Sequence, residues 1–290
     1  MLSVYLDHKL ETTPRPKEFS AGIARLNKFW GGKTAAEILG PTCREFATAR
    51  KSVSGARRDL EMLRAAVKHY KAEYGMEAEP IFSLPDKSQA RERWMTRDEI
   101  AALLWACYRG DKNAKRKHLV RFILIGVYTA TRHQAILRLQ WVANTTGGWV
   151  DLEKGVMYRR ASGAKETKKR TPPIRVPDRL LAHMRRWNRL DKGIRSIVHY
   201  EGRAIDRLEN SFRRARVACG LDDGVIPHAL RHTAITWQMQ AGTDPNQVAG
   251  FAGVTAREME RTYVHHHPDY QDDIASRRMV GKRRPKAIAN

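Results

Sequence analysis

Apolar residues in this chain recur at helical spacing almost throughout, and at strand length in one short region only. Leu60, Leu63, Val67, Tyr70 and Tyr74 are three or four apart, a stripe along one face of a helix. Glycine and proline punctuate the first part. A helix over Lys17–Trp30 stops at Gly31-Gly32. A short one over Thr34–Leu39 stops at Gly40-Pro41, Thr42 caps Cys43–Lys51, and Ser54 caps a long helix ending at Gly75. Four helices in so short a span make a small bundle. Arg57, Arg58, Arg64, Lys68 and Lys71 are expected on or near its exposed faces, as solvated charge or as DNA contacts.

Residues 75–93 contain two prolines, a glycine and mixed charge, and read as a linker. Thr96 and Glu99 then form a capping box that opens a helix running to about Tyr108. Helices follow near His118–Thr129 and Arg132–Leu139. Strands are expected at Trp149–Leu152, Val156–Arg160 and Ile174–Val176, with a lysine-rich hairpin turn over Ala161–Pro172. Further helices are expected at Arg179–Leu190, Ile205–Cys219, His228–Gln240, Asn246–Phe251 and Arg257–Tyr263. The fold class is mainly α with a small antiparallel β-sheet. The expected domains are 1–88, a helical bundle, and 89–290, an α+β domain with a basic tail over Arg277–Asn290.

The apolar-leaning run Phe122–Ala130 has nine residues, and a membrane helix needs about 20. An integral membrane protein is therefore not expected. Asp7, His8 and Lys9 interrupt the place where a signal peptide keeps its apolar region, which argues against secretion. Cys43, Cys107 and Cys219 are odd in number and far apart, so reduced cytoplasmic thiols are the expectation.

Charge gives the first functional clue. There are 54 Lys+Arg against 31 Asp+Glu, a formal net charge of +23. Residues 1–88 hold 15 of those cations and 11 of the anions, so nearly all the excess lies further on. A polyanionic partner is implied, because surface cations displace counterions from nucleic acid. A basic RNA-binding protein satisfies the charge equally well.

Four places hold side chains suited to phosphate chemistry. Arg132, in Thr129-Ala130-Thr131-Arg132, stands at the start of a helix and offers a planar fork that matches phosphate oxygens. The turn containing Lys165, Lys168 and Lys169 could deliver a proton to a leaving oxygen. In Pro227-His228-Ala229-Leu230-Arg231-His232-Thr233, His228 and Arg231 share a helix face, and His232 is read as pointing elsewhere. Tyr263 lies beside Arg261 and His265–His267. Its phenol, with an ordinary pKa of about 10, can attack only with a base or strong positive potential nearby. Three adjacent histidines do not face one way on a helix, so a metal site from His265–His267 alone is not expected. The chain has no glycine-rich G-x-x-x-x-G-K-[ST] loop, and no carboxylate cluster stands near these motifs, which argues against two-metal chemistry.

The order Arg, Lys, His-x-x-Arg, Tyr resembles the tyrosine recombinase (phage integrase) family. T-A-T-R-H-Q-A-I-L-R-L-Q-W is similar to its first arginine box, H-A-L-R-H-T to its second, and E-R-T-Y-V-H-H to its nucleophile box. The resemblance implies a SAM-like core-binding domain at 1–88 and a catalytic domain at 89–290. It implies a catalytic set of Arg132, Lys169 (or Lys165 or Lys168), His228, Arg231 and Tyr263. It implies cleavage and rejoining of double-stranded DNA through a 3′-phosphotyrosyl link, with no cofactor and no metal. Four protomers would assemble on two duplexes, in the cytoplasm at the nucleoid, and an accessory DNA-bending or directionality factor is a further candidate partner. The source would be a phage or mobile element.

Three positions depart from the family pattern. Ala130 replaces the usual glycine before the first arginine, and Ala135 replaces an acid three after it. Val254 stands nine before Tyr263, where a histidine normally donates a hydrogen bond to the scissile phosphate. Either a nearby histidine substitutes or the site works with five members. The alternative is a catalytically impaired DNA-binding protein of the same fold, acting in regulation or DNA architecture. A type IB topoisomerase shares the chemistry but works as a monomer.

Overall fold

Two compact units, Met1–Ala90 and Arg91–Asn290, make up the protein. The computed structural model describes residues 1–13, 15–87, 93–109, 116–164 and 170–264, and for Tyr263 and Val264 the backbone alone. Among the described residues no helix is long and apolar enough to cross a membrane.

The first unit contains α1 (Leu2–Leu10), α2 (Pro16–Trp30), α3 (Gly40–Arg50) and α4 (Val53–Tyr74). The helix α1 has no counterpart in the sequence reading, because it buries no residue fully and so carries no clear stripe. The segment expected as a helix over Thr34–Leu39 is a 3-10 turn, Ala35–Glu37, closed by a capping box between Thr34 and Glu37. Ser52, not Ser54, caps α4, its hydroxyl accepting from Gly55 N–H. Thr42 does not cap α3, which begins two residues earlier, and its hydroxyl donates instead to the Glu37 carbonyl at 2.9 Å. Along α4, Leu60, Leu63 and Val67 are buried with Leu26, Trp30 and Phe46, while Tyr74 is 65% exposed. The stripe therefore ends a turn earlier than its spacing suggests. Buried Asp59 receives Arg25 at 3.0 Å and Arg50 at 2.9 Å. Burial alone would raise its pKa, but the two guanidinium groups outweigh that and hold it below the usual range.

The second unit begins with α5 (Arg97–Arg109), opened by the expected capping box: Thr96 N–H donates to Glu99 and Glu99 N–H to Thr96 Oγ1. Next come α6 (Lys117–Thr129) and α7 (His133–Leu137). Strands β1 (Trp149–Asp151), β2 (Val156–Tyr158) and β3 (Ile174–Arg175) form one antiparallel sheet, with Val150 opposite Met157 and Met157 opposite Ile174. After α8 (Asp178–Leu190) comes an unanticipated hairpin, β4 (His199–Tyr200) and β5 (Arg203–Ala204). Its strands are two residues each, too short to show alternation, and Glu201 and Gly202 make its turn at φ +49° and +80°. The hairpin delays α9, expected from Ile205, to Glu209–Ala218. The helices α10 (Ala229–Gln240), α11 (Pro245–Ala252) and α12 (Ala256–Met259) follow, and one π-helical turn, Glu260–Val264, continues α12.

The core of this unit gathers Leu103, Phe122, Ile123, Met157, Met184, Phe212 and Leu230 around α6. Gly126 lies where α6 packs closely on α10: a Cβ there would lie 3.1 Å from the Leu230 side chain, so one of the two would have to shift. Thr233, also on α10, accepts from Met95 N–H at 2.9 Å, and Trp237 Nε1 donates to the Met95 carbonyl at 3.1 Å. These bonds tie the entry of α5 to the helix that carries the His-x-x-Arg pair. The basic tail and the segment 165–169 lie outside the described residues.

Candidate active site

The helix α6 ends at Ala130, which sits in the left-handed region at φ +51°. That turn leaves the Thr129 and Ala130 carbonyls without helical partners and brings Arg132 to the cap of α7. One turn into α10, Arg231 is 5% exposed, and its Nη1 donates to the Ala130 carbonyl at 2.6 Å and to the Ala252 carbonyl at 2.7 Å. Arg132 Nη2 donates to the next carbonyl, Gly253, at 3.2 Å, and its Nη1 to the Arg170 carbonyl at 2.8 Å. The two arginines, distant in the chain, thus grip consecutive carbonyls at the end of α11.

Gly253 makes this possible. It has φ +69°, and a Cβ would come within 2.6 Å of the Arg170 carbonyl oxygen. Its backbone lies against the end of the lysine-rich loop because it has no side chain. Lys165, Lys168 and Lys169 themselves fall outside the described residues.

His228 stands at the N-cap position of α10, exposed by area although protein atoms crowd its ring. Burial, then the charges of Arg231, His133 and Arg132, push its pKa down, with Glu258 opposing. It is therefore neutral at pH 7, able to accept a proton. His232 does not point elsewhere: its ring meets that of His228 edge to face at 5.0 Å. Residues four apart on a helix stack one above the other, so this follows from the same rule that pairs His228 with Arg231. Burial, followed by His228 and Arg231, lowers His232 to about 4. His133, at the first turn of α7, is likewise pushed down by burial.

Two further residues belong to this cluster. Glu258, on α12, is the acid whose charge acts on Arg132 and His228. Nothing in the sequence singles it out: it stands five residues before Tyr263, while Ala135 occupies the position expected to be acidic. Arg159, immediately after β2, is 5% exposed and donates to the Thr129 carbonyl at 2.8 Å. Nothing in its sequence context distinguishes it from its neighbour Arg160.

Val254 is 5% exposed and packs with Ala130, Ile235, Val248 and Met259 in a small apolar cluster. Its side chain supports the backbone beneath the arginines. The backbone of Tyr263 lies in the π-helical turn, which packs against α10. The helix expected over Arg257–Tyr263 is thus split between α12 and that turn.

Residues 93–269 match the model of the phage integrase family, more than half of the chain. The chain belongs to the phage integrase family. In this tyrosine recombinase the fold, too, agrees with solved relatives. The Tn1549 transposon integrase in complex with transposon right end DNA superposes with a TM-score of 0.69 at 18% identity, covering 97% of this chain and 99% of that one. A lambda integrase dimer bound to a COC′ core site gives 0.65 at 13% identity, covering 99% and 80%. A lambda integrase tetramer bound to a Holliday junction gives 0.63 at 16% identity, covering 88% and 76%. The integrase of Salmonella phage P22 is 24% identical over 226 residues, which are 74% of this chain and 53% of that protein. The chain therefore spans about half the length of that curated relative.

Proposed function

We propose that this tyrosine recombinase is a site-specific DNA integrase of a phage or mobile element. The observation that carries the reading is the meeting of Arg132 and Arg231 on the consecutive carbonyls of Gly253 and Ala252. Two guanidinium groups so held can take the two non-bridging oxygens of one phosphodiester and stabilise the charge added in a pentavalent transition state.

The step is a displacement at phosphorus. The Tyr263 phenol oxygen forms a bond to phosphorus, the bond from phosphorus to the 5′ oxygen breaks, and a 3′-phosphotyrosyl link remains. The phenol proton passes to a base, a role that fits the lowered pKa of His228. Lys169, or Lys165 or Lys168, protonates the leaving 5′ oxygen. Reversal with a different 5′-hydroxyl reseals the strand, so the bond energy is kept without a nucleotide cofactor. Four protomers would act on two duplexes in the cytoplasm, exchanging the segment after Tyr263, with an accessory DNA-bending or directionality factor setting direction.

Incubation with a nicked duplex carrying the attachment site tests this. Wild type is expected to give a denaturation-resistant protein–DNA band. Tyr263→Phe is expected to lose the band while still shifting the duplex. A second reading, a DNA-binding protein without cleavage, is favoured by Val254, whose side chain serves an apolar cluster and offers no hydrogen bond. Binding by wild type with no band on any nicked substrate would establish that reading and overturn ours.

A further inference from the structure

The candidate site contains a third guanidinium, and this one is buried. Arg159 is 5% exposed, yet no carboxylate bonds to it among the described residues. Its Nη2 donates to the Thr129 carbonyl, and its Nε finds no hydrogen-bond partner there. Its guanidinium carbon lies 5.6 Å from the centre of the Phe251 ring.

The placement is orderly. At the end of α11, Phe251 faces Arg159, the Ala252 carbonyl takes Arg231, and the Gly253 carbonyl takes Arg132. At the end of α6, the Thr129 carbonyl takes Arg159 and the Ala130 carbonyl takes Arg231. Arg159 and Arg231 thus join the same two helix ends, and Arg132 is held at the second of them. Burial first, then the charges of Arg231 and Arg132, push the Arg159 pKa down to about 9. A guanidinium so placed is costly. A neutral side chain would bond the Thr129 carbonyl at less cost. The positive charge lowers the energy of the site only when an anion lies among the three.

We propose that Arg159 is a positioning residue of the phosphate site, fixing the turn that carries Arg132 and adding a buried charge that strengthens the hold of Arg132 and Arg231 on phosphate. This rests on the strand-transfer reading for its substrate, but the anion site can be probed without DNA. The field of a buried charge is weakly screened, so it acts on a bound anion without touching it.

The experiment compares wild type, Arg159→Gln and Arg159→Lys as full chains. Thermal unfolding is followed in inorganic phosphate against sodium chloride of equal ionic strength. Wild type is expected to gain stability in phosphate, because an anion bound only by the folded state raises its melting point. Arg159→Gln, neutral but still able to donate to Thr129, is expected to lose about half of that gain or more, and to form the covalent adduct about 10-fold slower. Arg159→Lys is expected to restore most of the phosphate gain and part of the rate. A structural role alone would lower the melting point equally in both salts. Full phosphate gain and full rate in Arg159→Gln would overturn the proposal, as would equal losses in the Gln and Lys variants. Should Arg159→Gln not fold, Arg159→Met supplies the neutral comparison. If wild type forms no adduct, the strand-transfer reading fails, and the phosphate arm still decides whether Arg159 serves an anion site.

Discussion

The hydrogen bonds that orient Arg132, Arg159 and Arg231 run to backbone carbonyls. A carboxylate would neutralise the charge that phosphate needs, whereas a carbonyl holds the guanidinium and leaves its charge in place. Histidines beside such charge are kept neutral, and this has a consequence for stability. His232 has a folded pKa of about 4, against about 6.5 unfolded. Between those values the unfolded chain binds more protons than the folded one. Stability is therefore full above pH 6.5 and is lost as the pH falls toward 4, by up to about 3 kcal/mol from this residue. His228, His133 and His118 shift in the same direction and add to the slope. In urea titrations from pH 7 to pH 4, His232→Gln is expected to show a visibly shallower decline than wild type. An identical decline would place the effect in the other histidines.

Among the elements, the end of α11 does most of the positioning. Its last residues meet all three arginines, and Gly253 lets the chain turn there with φ +69° against the Arg170 carbonyl. Gly253→Ala must adopt a left-handed conformation, costing about 1–2 kcal/mol, and must also push Arg170 and Pro172 away. We expect a total loss of about 2–4 kcal/mol in a denaturant melt, together with loss of cleavage as the acceptor of Arg132 moves. A substitution at Gly250, which has open space around it, serves as the control. Elements whose residues carry strong local signals agree closely between sequence and structure, as the capping box of α5 and the strands at Trp149 and Val156 do. Elements without such signals were not legible. The helix α1 buries nothing fully, and the β4–β5 hairpin is too short to alternate.

For the molecule as a whole, the excess of cations, +23 in net charge, is expected to govern binding to the DNA of the proposed function. Duplex binding should weaken steeply with salt. A plot of log affinity against log salt is expected to have a slope of about −5 or steeper, equivalent to roughly six phosphates neutralised. Anisotropy titrations across sodium chloride concentrations measure it. A slope shallower than about −2 would mean that most of the charge is not spent on the backbone.

The helical character, the small sheet, the boxes of the family and the residue types of the candidate site follow from residue order alone. Each of these is written in local spacing, which the chain carries without folding. That Arg159 joins Arg132 and Arg231, that Glu258 supplies the nearby acid, and that Val254 is a packing residue emerge from the folded arrangement. Those relations come from α6, α10, α11 and the β2 end meeting in space. Spacing along the chain records which face of its own helix a residue occupies, and nothing of what that face will touch.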